Sequence, residues 1–544
     1  MGNDLTGIHM MAAVTQHTIN SELWRLYITP QDPTNPDSDS IISHTLETHH
    51  SPHGPGITAV VGSVDEGLAP TVELRFAAST RHNVLFQVPL TSGKMNYWDL
   101  NEDTPVLKEI VIDHWVLAFE VDLDMVALSA SSLPTSGASK VAQEYLRQFS
   151  DADFTINRLA LNFENADLAN LDVKGSTVPV NDPVAMQELI ASLSVYFKNL
   201  KNSTNPYILG YPIKSNNPQR TQKVLPAIEP TSLDFSTTPY ISAGAADKSH
   251  DDLSTLNFLM MTQGQNFPAD ANMGLFNQNW IASDDVQGIM VIANQIFTSD
   301  YVEQLLIPEV SEALFSALGL PSTQAKKTDA GWNLYHEDMR KHVVAGSDSG
   351  IENIYADYTA RVNCDLSLSL PNKQITGTGY FYRYAYYYET PFVAPNGIEV
   401  GHVTVQLNWT LTINFGVGDG LILLTYQLNG QDKPSVQEYE NPIQKLGDFL
   451  GGNIGTVEDA VVNQYTALEN KGFDQVMRNL SACLNTLQNR VILPGGEVFF
   501  FKDLMFNEEQ DLVVTLTYKD NAPHALAVSP QSHKKVLARR RERR

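Results

Sequence analysis

Val403-Thr-Val-Gln-Leu-Asn-Trp-Thr-Leu-Thr-Ile-Asn-Phe415 decides the fold. Over these thirteen residues every odd position is apolar and every even one is Thr, Gln or Asn. Side chains of a strand point alternately to opposite faces, so this period of two describes a strand with one face on a core and one in water. It is about twice the usual strand length. Gly416 to Gly420 read as its turn and Leu421 to Tyr426 as its return partner.

The same pattern recurs outward from this run. Tyr380, Tyr382, Tyr384 and Tyr386 take one parity, and Phe381, Arg383, Ala385 and Tyr387 the other. Nearer the N-terminus, Trp115, Leu117, Phe119, Val121 and Leu123 oppose Val116, Ala118, Glu120, Asp122 and Asp124. That is a long, half-exposed antiparallel strand, needing a partner layer on one side only. From Phe154 to Phe163 the phase changes midway, which predicts a β-bulge near Asn157 and a bent strand. Bent strands suit a sheet that curls.

Helices are expected at 15–29, from Asp182-Pro183 through Phe197, from about Asp300, and over 442–488 with a break at Lys471-Gly472. At the second of these, Asp supplies the cap and Pro the first turn. Residues 30–55 read as loop, and 202–252, rich in Asn, Pro, Ser, Thr and Gly, as a long connection or interdomain crossing. Further short strands are expected at 256–261, 288–292, 498–501 and 512–518.

At 544 residues the chain exceeds what one hydrophobic core serves, so two large domains are expected. The formal charge is −26. The last eleven residues hold two Lys and five Arg against one Glu, a local +6, so the rest carries −32. Such an acidic body repels nucleic acid and anionic membrane, and neither is expected as a partner of the main fold. The basic end reads as a disordered tail. Met1 to Val14 lack a signal-peptide pattern, and no run of eighteen apolar residues occurs. The chain therefore reads as cytoplasmic, or exported without a conventional signal peptide, and without a transmembrane segment.

Catalytic patterns fail on spacing. His336-Glu337 with His342 is two residues too long for a helical zinc motif, whose second His stands four after the first. Gly346-Ser-Asp-Ser-Gly350 has Asp where a nucleophilic Ser must stand, and reads as a solvent loop. His44, His49, His50 and His53 crowd one loop without a ligand frame. Gly377-Thr-Gly379 and Gly416-Val-Gly418 read as turns. Cys364 and Cys483 read as small core residues. No catalytic residue, metal site or cofactor is expected, and the chain is not read as an enzyme.

Several ordered segments resemble one family. They are Asn83 to Lys94, Leu256 to Thr262 with Phe267-Pro268, Gly274 to Trp280, Gly288 to Phe297 running into Tyr301 to Pro308, and Leu493 to Lys502 followed by Leu512 to Tyr518. Together, over about residues 15–520, they are similar to the 47-kilodalton protein encoded beside clostridial neurotoxins and its OrfX relatives. The resemblance implies an α+β fold of the tubular lipid-binding (TULIP) superfamily: an elongated architecture of strongly curved antiparallel sheets wrapped around long helices. It implies a TULIP-like half at 15–240 and a second at 241–525 holding the helical segment 442–488, between an N-terminal tail (1–14) and the basic tail (526–544).

The expected function is then non-catalytic binding of a lipid or another apolar small molecule between sheet and helix, as a toxin-accessory protein. The inward parity of the long strands gives candidate lining residues Trp115, Phe119, Leu161, Trp409, Ile413 and Phe415. The alternative is a protein-interaction subunit of a toxin or secreted complex, without lipid, using the Tyr-rich face around Tyr380 to Tyr388.

Overall fold

The computed structural model describes residues 5–518 except 33, 36–37, 49–53, 75–81, 100–103, 129–137, 164–175, 181, 203–204, 217–227, 242–249, 270–272, 349–351, 390–397, 441–446, 472 and 497. The basic tail and His49, His50 and His53 lie outside the described residues. The chain divides into two units. One comprises Met1–Ala293, Thr486–Asp503 and Asn507–Arg544, the other Asn294–Asn485 with Leu504–Phe506. Residues 240 and 241, between which the sequence reading divides the chain, both fall in the first unit.

The first unit holds two antiparallel sheets. In one, β2 (Thr45–Glu47), β3 (Gly56–Val61), β5 (Asn83–Asp99), β6 (Val106–Leu128), β7 (Phe154–Asn162), β8 (Ile208–Ser215) and β19 (Val491–Ile492) follow one another, with β4 (Thr71–Glu73) also on β5. The strand β6 runs 23 residues and buries Trp115, Leu117, Phe119, Val121 and Leu123, as its alternation predicts. The second sheet has the order β20 (Phe499–Phe506, whose last three residues count with the other unit), β21 (Leu512–Tyr518), β11 (Gly288–Ile292), β1 (Met10–Thr15), β10 (Thr255–Thr262) and β9 (Pro230–Thr238).

Helix α1 (Gln16–Ile28) starts at Thr15, whose hydroxyl accepts from the Thr18 amide. Helix α2 (Lys140–Leu146) is capped by Ser139, which also donates to Gly495 O. Helix α3 (Pro183–Asn202) is capped by Asp182, whose Oδ1 accepts from the Val184 amide. The buried Glu22 accepts from the Gly495 amide at 2.7 Å, tying α1 to a segment 473 residues on.

The second unit is built on one antiparallel sheet in the order β12 (Lys326–Thr328), β13 (Gly331–Asp348), β14 (Glu352–Ser369), β15 (Gln374–Glu389), β16 (Ile398–Gly418) and β17 (Leu421–Gly430), with β18 (Ser435–Glu440) also on β16. Four of these strands have 16 to 21 residues. The apolar face of β16 is buried from Val403 to Phe415. Covering this unit are a π-helical stretch (Ile296–Leu306), α4 (Ile307–Ala317), α5 (Gly447–Lys471) and α6 (Asp474–Asn485). Edge strand β17 does not leave its amides bare: Ser481 and Asn485 of α6 accept from Leu424 and Ile422, each at 2.8 Å. The antiparallel sheets with a few helices are the α+β class expected.

Several expectations need correction. Residues 10–14 are no tail: β1 is buried throughout, between β10 and β11. The supposed connection 202–252 contains β8 and β9, and the loop 30–55 contains β2. The register shift expected in β7 near Asn157 is present two residues on, between Leu159 and Ala160, against β8. Gly377-Thr-Gly379 lies inside β15, and Gly416 to Gly418 close β16, whose turn is Asp419-Gly420 at positive φ. Gly346 to Asp348 continue β13.

Candidate functional site

The six predicted lining residues separate into two groups. Trp115, Phe119 and Leu161 share the inner face of the β6–β7 region in the first unit, each at most 2% exposed. Trp409, Ile413 and Phe415 share the inner face of β16 in the second, at most 4% exposed.

In the first unit α3 lies over the sheet through an aromatic cluster. Phe119 meets Phe86 at 5.7 Å and Phe197 of α3 at 5.0 Å, both edge-on; Phe163 stacks on Phe197 at 4.6 Å and meets Tyr207 at 5.8 Å. Edge-on and offset contacts of this kind add about 0.5–1.5 kcal/mol per pair beyond burial. In the second unit Phe415 packs on Phe297 of the π-helical stretch at 5.6 Å, and Trp409 on Phe381 at 5.7 Å. All six side chains are thus part of packed interiors.

An open groove of about 680 Å3 lies at the end of the α3–sheet contact, between Tyr97, Trp98 and Pro105 and the helix residues Val184, Gln187, Glu188 and Ala191. Its volume is that of a ligand site for a small molecule. Trp98 is 41% exposed, a large apolar side chain turned out beside the groove. The floor is held by polar contacts: Tyr97 donates to Asp182 Oδ2 at 2.9 Å, and Lys108 is paired with the buried Asp99. The Val184 amide, then the Tyr97 hydroxyl, hold the Asp182 carboxyl below its usual range; the same bond raises Tyr97. The groove end of α3 is thereby fixed to β5.

None of the groove residues was singled out from the sequence. A signal existed: 184, 187, 188 and 191 follow the i, i+3, i+4, i+7 spacing of one helix stripe. The polar Gln187 and Glu188 hid it beside the fully apolar stripe of Ala185, Leu189 and Leu193, which is buried.

The rejected catalytic patterns disperse on the structure. His336, Glu337 and His342 lie on strand β13, not on a helix. His336 packs at Phe315, Glu337 pairs with Arg361, and His342 stacks on Tyr355 at 4.0 Å. Among the described residues no group of three or more His, Cys, Asp or Glu is placed to hold a metal. Nor, among these residues, is any helix long and apolar enough to cross a membrane.

Solved structures align with the chain. It is similar to P47 from Clostridium botulinum A2, at 10% identity and a TM-score of 0.45, covering 95% of this chain and 98% of that one. A lipopolysaccharide binding protein aligns at 11% identity and a TM-score of 0.28, over 94% and 99% of the two chains. Takeout 1 of Epiphyas postvittana aligns at 10% and 0.12, over 36% of this chain and 89% of that one. No protein-family profile matches the chain, and no curated protein matches it in sequence. Likeness at these identities concerns the fold alone.

Proposed function

We propose that the chain is a non-catalytic binding protein that takes up a lipid or another apolar small molecule between sheet and helix, as an accessory protein to a toxin. The observation that carries the binding reading is the open groove between Tyr97-Trp98 and α3, which sits where an apolar sheet face meets its covering helix. A tail placed there continues toward Phe119, with Trp115 and Leu161 on the same face. Trp409, Ile413 and Phe415 offer the corresponding surface in the second unit. Because these side chains are already packed, deeper uptake requires the covering helix to shift. Burying a methylene contributes about 0.8 kcal/mol, so a dozen would supply ~10 kcal/mol before the costs of ordering.

Organic extraction of the purified full chain and native mass spectrometry test this. Co-purified lipid, or uptake of a fluorescent stearate, is expected. Val184→Glu and Ala191→Glu, at half-buried and exposed positions, place charge on the groove wall and should cut stearate uptake about tenfold or more. No lipid and no uptake would sink the proposal.

A second reading is favoured by the exposed apolar side chains of β13, Met339 at 53% and Val344 at 61%, beside the stacked His342 and Tyr355. There the Tyr-rich face would serve as a protein-interaction surface. Met339→Glu with Val344→Glu should abolish binding of such a partner and leave stearate uptake unchanged.

A further inference from the structure

The half-exposed outer face of the second unit's sheet carries a depression of about 540 Å3. The strand register places two rows of side chains there. In one, Asn363, Tyr380 and Asn408 stand opposite one another on β14, β15 and β16; in the next, Asp365, Thr378, Thr410 and Asn429 cross from β14 to β17. The first row is pre-set. Asn408 Oδ1 accepts from Gln406 Nε2 at 2.8 Å, and the Asn408 amide donates to Gln431 Oε1 at 3.3 Å. The one carboxylate, Asp365, accepts from Asn333 at 2.7 Å and Asn363 at 3.2 Å. Thr378, Thr410 and Asn429 make no side-chain hydrogen bond among the described residues.

We propose that this depression binds a neutral oligosaccharide. Amide and hydroxyl side chains both donate and accept, which matches the hydroxyls of a sugar, and the Tyr380 ring offers a flat apolar face for pyranose C–H groups. The volume lies within the usual range for ligand sites. An anionic ligand finds no Lys or Arg among the lining residues and is opposed by Asp365 and by a chain of net charge −26. An apolar tail would strip water from the amides without replacing their hydrogen bonds. A peptide strand cannot add here, because β14, β15 and β16 have their backbones paired on both sides. Its polar side chains stand on the face opposite the apolar interior, and the interior-facing positions that also line it are Gly379, Trp409 and Gly430.

Maltotriose, cellotriose, chitotriose and mannotriose are titrated into the full chain, with binding read by saturation-transfer NMR and calorimetry. At least one is expected to bind. Tyr380→Ala should abolish that binding, and Thr378→Val, which keeps the shape and removes only the hydroxyl, should weaken it about fivefold, the worth of one hydrogen bond. Thr404→Ala, on the same face but outside the depression, should change nothing. Melting temperatures identify any variant that fails to fold, and Thr378→Val then decides. If no trisaccharide binds, or if Tyr380→Ala and Thr378→Val bind as the parent does, the proposal is overturned. Inorganic phosphate or a peptide competing at this site would overturn it too. Stearate uptake is measured in parallel, so failure here is distinguishable from failure of the lipid reading.

Discussion

The indole of Trp409 occupies the place beside Gly379 where a side chain would stand. A Cβ at 379 would lie 2.6 Å from the ring Cη2 and 2.7 Å from the Asn363 carbonyl oxygen. On the other flank of Trp409, Gly430 gives its space to the ring of Tyr465 from α5. Two glycines thus make room for two large rings, one from β16 and one from α5.

Gly379→Ala should therefore destabilise the second unit by about 1–3 kcal/mol, the usual cost of overpacking a core. Calorimetry with the transitions of the two units resolved would show it. Gly379→Ala combined with Trp409→Phe should recover part of the loss. A neutral Gly379→Ala would mean that the ring moves freely.

Arg490 and Glu229 form an ion pair at 2.9 Å with side chains 5% and 9% exposed, in the first unit. The Arg490 guanidinium also lies 5.0 Å from the Phe154 ring. Removing one partner of a buried pair leaves a charge uncompensated, so Arg490→Met should cost about 3–5 kcal/mol. Arg490→Met with Glu229→Leu should be clearly more stable than Arg490→Met alone. Thermal unfolding of these two variants and of Glu229→Leu alone measures the coupling. Equal losses in single and double variants would refute it.

The sequence showed the strands whose two faces differ and hid those whose faces do not. Val403 to Phe415 and Trp115 to Leu123 alternate because helices cover one side and water the other. In β1, Met10 to Thr15, every residue is buried, so no period of two survives. The same is true of most of β8, set in a segment whose Asn and Pro content suggested a connection. Gly377 and Gly379 looked like a turn because glycine is most often read through its backbone freedom; here it is a matter of space for Leu366 and Trp409. The depression on the outer face was invisible for a related reason. Asn363, Thr378, Asn408 and Asn429 come from four strands and become neighbours only through register.

Tyr27 carries a pH prediction. Its ring is buried, its hydroxyl donates to the Val61 carbonyl at 2.8 Å, and burial pushes its pKa up from 10.0 to about 12. A raised folded-state value means that the neutral form is favoured by folding. The stabilisation is fully present below pH 10 and is lost as the pH rises to about 12. Tyr27→Phe should cost about 1 kcal/mol at pH 8, for the lost hydrogen bond, and the difference from the parent should shrink between pH 10 and 12. Denaturation midpoints at the two ends of that window check the sign. A difference that grows with pH would contradict it.

The two cysteines offer a probe of local opening. Cys364 on β14 and Cys483 on α6 are each 1% exposed and in no disulfide, and burial, with Asp365 adjacent, pushes the Cys364 thiol well above its ordinary value. The thiolate is the reactive species, so the native protein at pH 8 should react with Ellman's reagent only as fast as the sheet opens, while unfolded chain reacts at once at both. Cys364 stands directly opposite Gly379 in the register of β14 and β15. In a Cys483→Ser background, Gly379→Ala should therefore speed modification of Cys364 by a factor of about 5 to 150, as the loss of about 1–3 kcal/mol dictates. An unchanged rate alongside a lowered melting temperature would place the strain elsewhere than at the Trp409–Gly379 contact.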